Sequence, residues 1–572
     1  MASANQHVAR LLYELGALTA RTGRPGDRFR ASAYRRAADA VAASHLDVLQ
    51  AEVELRALPG IGTGTAARIT EIRRTGTVQA LERLRASDPA GVEDLLRIPG
   101  IGPVTAARLR DTLGFRDLEE LRRAVQTGRL EQVRGIGPDT LARIAEGLAR
   151  LGSDDGPPRL PTLDAVQVAQ RVEMALRGLD GVPALAWTGD LGRMADTVAH
   201  VELTVASSDP VRTLAAAASA TPIREVTGHS DDGVELATFD GPLVHLSAVT
   251  PDRYGVVSVR RTAAPGHWRR LVRRAGDRGL SLSDALRDPS GAVIAIPDDA
   301  TLYETLDLQS VPAEQRDGTD EVDLAAAGRL PRCATASDLR GDLHDHSDWS
   351  GDGRMSLAQL LEGAATRRWA YLGVTDHAED LTINGLSREA MIRQRGELGR
   401  LADRHPDLAV LHGAELNIGA DGTVDYDADF LAGFGWAVAS VHSHFRLDAA
   451  AQTRRLVTAI RNPAVRAIGH LTGRRIGRRA GIALDVDAVL DACLETGTAL
   501  EVNCHLDRFD APAEVLAKAA SRGVPVVIST DAHRTTELDN HRWGVALARR
   551  GRVPAEQVAN TWPAERFLAA GG

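Results

Sequence analysis

Apolar and polar residues follow three different patterns along this chain. In residues 1–150, apolar positions recur every three to four residues, which predicts amphipathic helices. Between about 160 and 320, a helical stretch at 164–178 is followed by β-rich runs such as 200–205 and 242–249, which indicates an α/β region. Beyond about residue 338, short apolar runs alternate with helical patterns.

The C-terminal pattern contains seven strand-like runs, which are Leu339–Leu343, Tyr371–Thr375, Ala409–His412, Trp436–Val441, Val465–Gly469, Ala499–Asn503 and Val524–Ser529. Helical patterns at 356–368, 387–404, 485–496 and 512–522 lie between them. Seven alternations predict a parallel barrel, whose strand ends meet on one rim.

A short glycine turn occurs three times in the helical region, at Leu58-Pro-Gly-Ile-Gly62, Ile98-Pro-Gly-Ile-Gly102 and Val133-Arg-Gly-Ile-Gly137. Such a turn at a helix start exposes backbone N–H groups, which can bind a phosphate without reading bases. The three copies resemble helix-hairpin-helix DNA-binding motifs. The resemblance implies that the DNA backbone is bound by Gly60, Gly62, Gly100, Gly102, Gly135 and Gly137. The alternative is that these turns only pack helices.

Composition agrees with an ordinary globular protein of several domains. The 572 residues are 44% apolar and 25% charged, and the three cysteines are too widely spaced for a disulfide framework. No apolar run approaches a membrane span, so we expect a cytoplasmic protein. Polar stretches at 152–158 and 315–321 indicate linkers. With the motifs, they predict domains at 1–85, 86–152, 159–322 and 336–572.

Charge is unevenly distributed around a net value of −9. Residues 1–150 carry about 23 arginines against about 18 acidic residues, so the remainder is acidic. Lys518 is the only lysine. The net charge argues against indiscriminate nucleic-acid binding, and the mild local excess is compatible with binding a DNA backbone.

Nine potential metal ligands accompany the seven strand-like runs, namely His344, His346, Asp352, His377, Glu415, His442, His470, Asp531 and His533. A mixed imidazole and carboxylate set of this size can hold two or three divalent ions, which are suited to phosphoester hydrolysis. A lone histidine is more often structural, but the recurrence at strand ends makes coincidence improbable.

This ligand set resembles that of the polymerase-and-histidinol-phosphatase (PHP) domain, a distorted seven-stranded barrel. The resemblance implies up to three Mn²⁺ or Zn²⁺ ions bridged by Glu415. It also implies that His346, His377 and Asp531 hold the hydroxide that attacks phosphorus. A basic loop, Gly473–Arg479, follows His470. The resemblance implies that Arg474, Arg478 and Arg479 grip substrate phosphates, and the alternative is a solvated cationic loop.

The segment Asp27–Ala37 and the glycine turns resemble the N-terminal region of bacterial family X DNA polymerases, which also carry a C-terminal PHP domain. That family places three carboxylates in a palm-like α/β domain to bind two Mg²⁺ ions. Here the matching positions are His200, Glu202 and His245. Magnesium prefers oxygen ligands, so we predict an inactive polymerase centre. The alternative is that these three residues bind a softer metal.

Some members of that family use a lysine for lyase chemistry, and the matching position here is Arg68. A guanidinium stays protonated and forms no Schiff base, so lysine-dependent lyase activity is not expected. The leading hypothesis is a metal-dependent 3′–5′ exonuclease or 3′-end processing enzyme in DNA repair. The alternatives are a small-molecule phosphatase of the histidinol-phosphate type, a non-catalytic DNA-binding scaffold and an active polymerase.

Overall fold

The computed structural model describes residues 2–24, 26–87, 98, 101, 103–114, 118–133, 136–150 and 159–569. The chain forms two compact units, Met1–Ser310 and Val311–Gly572. Within the second unit, the Gln315 side chain donates to the backbone carbonyl of Arg549 at 2.9 Å. The boundary at 322 stays a prediction. The division of the first unit into three domains stays a prediction.

The first unit begins with helices, and those described before residue 150 are α1 (Ala2–Arg21), α2 (Asp27–Ala43), α3 (Thr63–Thr75), α4 (Gln79–Ser87), α5 (Pro103–Leu113), α6 (Leu118–Gln126) and α7 (Pro138–Arg150). The first glycine turn ends directly before α3 and the third directly before α7, so a helix follows each of them, as predicted. Gly60 has a φ of 79°, a left-handed conformation that favours glycine. Gly100, Gly102 and Gly135 lie outside the described residues.

The rest of the first unit is mixed α/β, as predicted. Its strands are β1 (Leu160–Pro161), β2 (Ala184–Thr188), β3 (Thr197–Val198), β4 (Val201–Ala206), β5 (Ile223–Ser230), β6 (Gly233–Thr238), β7 (Leu243–Val249), β8 (Ser281–Leu282), β9 (Leu286–Arg287) and β10 (Val293–Ile294). A five-stranded sheet has the order β2-β4-β7-β6-β5, in which only β4 and β7 are parallel. The accompanying helices are α8 (Thr162–Arg177), α9 (Gly189–Gly192), α10 (Pro210–Ala218), α11 (Pro251–Thr262), α12 (Pro265–Asp277) and α13 (Asp299–Thr305).

The second unit contains a nearly closed barrel of seven parallel strands. They pair in chain order and are β11 (Gly341–Asp345), β12 (Tyr371–Val374), β13 (Ala409–Asn417), β14 (Trp436–Ser440), β15 (Ala467–Gly469), β16 (Ala499–Asn503) and β17 (Val526–Ser529). A parallel bridge between Asp345 and Ala532 joins the first strand to the segment after the last. The predicted barrel is therefore confirmed.

The helices described in the second unit are α14 (Glu321–Ala326), α15 (Leu357–Thr366), α16 (Arg388–Ala402), α17 (Ala428–Leu431), α18 (Ala449–Ile460), α19 (Val486–Thr496), α20 (Ala513–Arg522), α21 (His541–Arg550) and α22 (Ala564–Ala569). Helices α15 to α20 connect successive strands of the barrel, whereas α14 precedes the first strand and α21 and α22 follow the last. Apolar pattern alone had not indicated α18 or α21. Strand β13 runs five residues beyond its predicted end at His412, because Gly413–Asn417 pairs with β14. Among the described helices, none combines the length and apolar character that crossing a membrane requires.

Candidate metal centre

The barrel brings all nine predicted ligands together, and Glu415 lies in their middle. Its Oε1 atom is 2.8 Å from Nε2 of His470, 3.1 Å from Nε2 of His442 and 3.5 Å from Nε2 of His344. Its Oε2 atom is 2.8 Å from Nδ1 of His377. Glu415 belongs to β13 itself, and the extension of that strand carries its carboxylate to the centre of the rim.

Two aspartates complete the cluster. Asp531 Oδ1 lies 3.3 Å from Nε2 of His346 and 3.7 Å from Nδ1 of His533. Asp352 Oδ2 lies 3.2 Å from Nε2 of His377 and 3.5 Å from Nε2 of His533. The turn after β11 thus returns Asp352 to the same rim.

The ligand atoms form overlapping triads in which each pair is within 4.8 Å. The triads drawn wholly from the nine predicted residues are His346–His377–His533, His344–His346–Asp531 and His377–Glu415–His442. Overlapping groups of nitrogen and oxygen donors suit a cluster of divalent ions that share ligands.

Several of these donor atoms are buried without a hydrogen-bond partner. They include Nε2 of His344, both ring nitrogens of His346 and Oδ1 of Asp352. An unsatisfied buried polar atom costs about 1–3 kcal/mol. Bound cations would satisfy Nε2 of His344, Nε2 of His346 and Oδ1 of Asp352, since an imidazole binds a cation through one of its nitrogens. The residues present therefore fit a metal cluster.

Electrostatics in the cluster favour charged carboxylates. Burial by itself would raise the pKa of Glu415, but the imidazoles of His442, His344 and His377 hold it well below its usual range. Burial likewise opposes ionisation of Asp531, whose pKa is nonetheless held low by nearby histidines. Two negative carboxylates inside a shell of imidazoles have the charge and the donor atoms that suit a cation.

Hydrogen bonds from residues on other strands of the barrel orient the ligands, and these residues are not among those predicted from the sequence. Nδ1 of His344 donates to Glu501 at 2.6 Å, and Nδ1 of His442 donates to the Asn417 amide oxygen at 2.8 Å. The Asn503 amide donates to Asp531 at 3.0 Å. Partners of this kind fix the orientation of metal-binding imidazoles. The period of two along a strand could have indicated Asn417, since it shares a face with Glu415.

A cavity of about 270 Å³ opens beside the cluster. Three arginines line it, namely Arg475, Arg508 and Arg534, together with Asp352, His505, Asp531, His533 and Glu537. Arg508 Nε is 3.8 Å from Asp531 Oδ2. The cavity therefore combines cationic side chains with candidate metal ligands.

The basic loop after His470 contributes Arg475 to the cavity lining, rather than the three arginines of this loop that the sequence analysis names. Arg474 donates to the backbone carbonyls of Arg508 and Phe509, so its guanidinium braces the loop. Arg479 donates to the carbonyl of Gly473 and stacks over the Phe445 ring at 4.0 Å. Neither these two nor Arg478 lines the cavity, whereas Arg475 does. The sequence gives no signal that distinguishes neighbouring arginines of one loop.

In the first unit, the three positions that match the polymerase carboxylates, His200, Glu202 and His245, lie close together at the five-stranded sheet. The rings of His200 and His245 stack with their centroids 3.8 Å apart. Nε2 of His200 is 3.0 Å from Glu202, and Nε2 of His245 is 3.0 Å from Glu235. Each imidazole thus has a carboxylate partner of its own. Neither His200 nor His245 belongs to any of the groups of potential metal ligands found among the described residues.

Comparisons with known proteins agree with this architecture. A helix-hairpin-helix domain model matches residues 3–78, and a SAM-like helix-hairpin-helix tandem model matches residues 92–150. The chain is 31% identical over 537 residues to the DNA polymerase/3′-5′ exonuclease PolX of Bacillus subtilis, covering 93% of each chain.

Shorter relatives match part of the chain. A probable phosphatase of Caldanaerobacter subterraneus is 26% identical over 230 residues, which are 38% of this chain and 86% of the relative. A probable phosphatase of Vibrio campbellii is 26% identical over 242 residues, which are 41% of this chain and 92% of the relative. The resemblance to PolX spans both compact units. The chain therefore belongs to the bacterial family X DNA polymerases that carry a C-terminal PHP domain.

Proposed function

We propose that this protein is a metal-dependent DNA phosphodiesterase that shortens DNA from the 3′ end, and that its polymerase centre is inactive. The observation that carries the proposal is the convergence of nine imidazole and carboxylate ligands beside a cavity lined by three arginines. The PolX relative, whose name includes 3′-5′ exonuclease, supports this assignment.

The chemistry follows from the donor set. Mn²⁺ or Zn²⁺, up to three ions, would polarise the phosphoryl oxygens and lower the pKa of a water molecule. The nine ligands would hold these ions, and Arg475, Arg508 and Arg534 would bind phosphate oxygens in the cavity. The nearby Ser347 hydroxyl already donates to the buried Asp376 at 2.6 Å, so it is not placed as a nucleophile.

Two features support the loss of polymerase activity. Of the three positions that are carboxylates in the family, only Glu202 is an acid, and two imidazoles poorly replace oxygen ligands of Mg²⁺. In addition, Arg193, the basic residue directly after α9, pairs with Asp190 and donates to the backbone carbonyl of Thr262. A nucleoside triphosphate would have to compete with Asp190 for this guanidinium.

A second candidate is a phosphatase for small phosphomonoesters, which the probable phosphatases among the relatives favour. It uses the same centre but gives no role to the helix-hairpin-helix matches at residues 3–78 and 92–150. We therefore prefer a DNA substrate.

The test uses the full chain, Mn²⁺ and a 5′-labelled primer–template, with and without nucleotides, and histidinol phosphate as a second substrate. We expect stepwise shortening of the primer, and Asp531→Ala should reduce its rate at least a hundredfold because it removes a candidate ligand. Asp429→Ala, an exposed aspartate on α17, is the control and should retain the wild-type rate.

Other outcomes separate the alternatives. Phosphate release from histidinol phosphate alone would support the phosphatase, and primer extension with nucleotides would show an active polymerase centre. A metal-loaded protein that binds DNA without hydrolysing any substrate would be a scaffold.

A further inference from the structure

The loop that follows His377 is held firmly to the metal centre. The backbone N–H of Leu386 donates to the His377 carbonyl at 2.9 Å, and that of Gly385 donates to the Leu381 carbonyl at 2.8 Å. The N–H of Asp380 donates to the buried carboxylate of Asp425 at 2.7 Å. These bonds fix both halves of the loop.

Side-chain packing fixes the tip of the loop as well. The Asn384 amide donates to Asp352 Oδ2 at 2.8 Å, so the loop contacts a candidate ligand directly. A Cβ atom at Gly351 would lie 2.7 Å from the Asn384 side-chain oxygen, so the turn before Asp352 packs directly against the tip of the loop. The loop tip is therefore positioned by the metal centre.

This fixed tip presents an isoleucine to solvent. Ile383 is 90% exposed, more than any other large hydrophobic residue among those the structure describes. Single exposed apolar residues are common on protein surfaces. Ile383 differs from them because it lies next to Asn384, on a loop that hydrogen bonds to the candidate ligands Asp352 and His377.

We propose that Ile383 contacts the base of the terminal nucleotide and gives the enzyme a preference for DNA ends that carry a base. This inference rests on the proposed exonuclease function. A nucleotide has an anionic phosphate and an apolar base face, and the site offers a partner for each. Three arginines line the cavity beside Asp352, and the loop that bonds Asp352 carries the isoleucine.

The role is that of a specificity residue, because Ile383 has no group that could take part in phosphate hydrolysis. Contact with a base face requires only an apolar surface, so it favours a base over no base without selecting among the four. A small phosphomonoester without a base would gain nothing from it.

The experiment compares two primer–templates whose 5′-labelled primer oligonucleotides differ only at the 3′ end. One ends in thymidine, and the other ends in a tetrahydrofuran residue that lacks a base. With Mn²⁺, we expect the wild type to remove the thymidine with a kcat/KM about threefold to tenfold higher. Ile383→Ser should cleave both oligonucleotides at the rate of the baseless one, while Ile383→Leu should keep the preference.

Ile392→Ser is the matched control, since Ile392 is an isoleucine 57% exposed on α16, and it should behave as the wild type. Equal preferences in the wild type and Ile383→Ser would overturn the inference while leaving the exonuclease function intact. An equal fall on both substrates would assign Ile383 a structural role instead. If the wild type shortens neither oligonucleotide, the proposed function itself is wrong.

Discussion

Two candidate ligands occupy backbone conformations that residues with side chains rarely adopt. Asp531 has a φ of 52° and His470 a φ of 24°, both in the left-handed region. His470 directly follows β15, and its side chain turns toward Glu415. Asp531 follows β17 after one intervening residue, and its side chain turns toward His346. Such strain persists where the surroundings fix it, and it is concentrated at functional sites.

A single supporting residue, Glu501, is expected to strengthen metal binding through its hydrogen bond with His344. Glu501→Gln keeps the shape of the side chain but removes the charge that accepts the imidazole N–H at 2.6 Å. We expect Mn²⁺ to bind about tenfold to a hundredfold more weakly in calorimetric titration of the full chain. Glu362→Gln, at an exposed position of α15, is the control, and equal affinities in both variants would refute the role of Glu501.

His412 predicts a measurable dependence of stability on pH. Its Nε2–H donates to Gln394 at 3.1 Å, and its Nδ1 accepts from Arg395 at 3.2 Å, so the neutral ring is fully bonded. Burial, with a smaller effect of Arg395, lowers the pKa of His412 from 6.5 to about 4. Unfolding then takes up a proton between these values, and stability is lost as the pH falls from 6.5 towards 4.

His412→Gln removes this titration. The shift corresponds to about 3 kcal/mol at most, so the variant should lose less of its Tm than the wild type between pH 7 and pH 4.5. Thermal unfolding followed by circular dichroism measures the difference. Parallel loss of Tm in the two proteins would contradict the assigned cause.

At the scale of elements, the barrel depends on close approach between neighbouring strands. A Cβ atom at Gly413 in β13 would collide with the backbone carbonyl of Trp436 in β14. Backbone in a paired strand cannot yield as a flexible side chain can, so only glycine fits.

Gly413→Ala is therefore expected to destabilise the second unit by about 2–4 kcal/mol, seen as a lower Tm. Gly396→Ala is the matched control, because Gly396 is a solvent-exposed residue in the middle of α16 and an added Cβ would meet no atom within 4 Å. That change should raise stability by about 0.5–1 kcal/mol. A tolerated alanine at Gly413 would mean that the two strands separate more easily than their spacing indicates.

At the scale of the whole molecule, the proposed function places DNA binding in the first compact unit and hydrolysis in the second. We expect duplex DNA to bind the full chain in EDTA with an affinity that falls about tenfold to a hundredfold between 50 and 200 mM salt. Asp531→Ala should leave this affinity within about twofold, since it changes only the second unit. Fluorescence anisotropy of a labelled duplex measures both effects.

A matched pair of variants tests the first glycine turn. Gly62 is exposed, and a Cβ atom added there meets no other atom within 4 Å, so an alanine fits and a longer side chain can extend into solvent. Gly62→Glu should weaken DNA binding about fivefold or more by placing a negative charge beside the phosphate, and Gly62→Ala should change it little. Equal binding by both variants would mean that this turn only packs helices.

The sequence by itself determined the class of each region and the identity of the candidate ligands. Periodicity is a local property, so the helical region and the alternation of strands and helices could be predicted from neighbouring residues. Recurrence of histidines and carboxylates such as His442 and Asp531 at strand ends indicated one rim, since parallel strands all end on the same side.

Tertiary structure alone decided which side chains support and surround those ligands. Glu501 reaches His344 from a strand 157 positions along the chain, and Arg475 rather than Arg474 lines the cavity. The tip of the loop at Ile383 gains its significance only because Asn384 bonds to Asp352. Such contacts depend on register, loop conformation and the direction of each side chain, which are fixed by packing between distant segments and leave no periodic trace in the sequence.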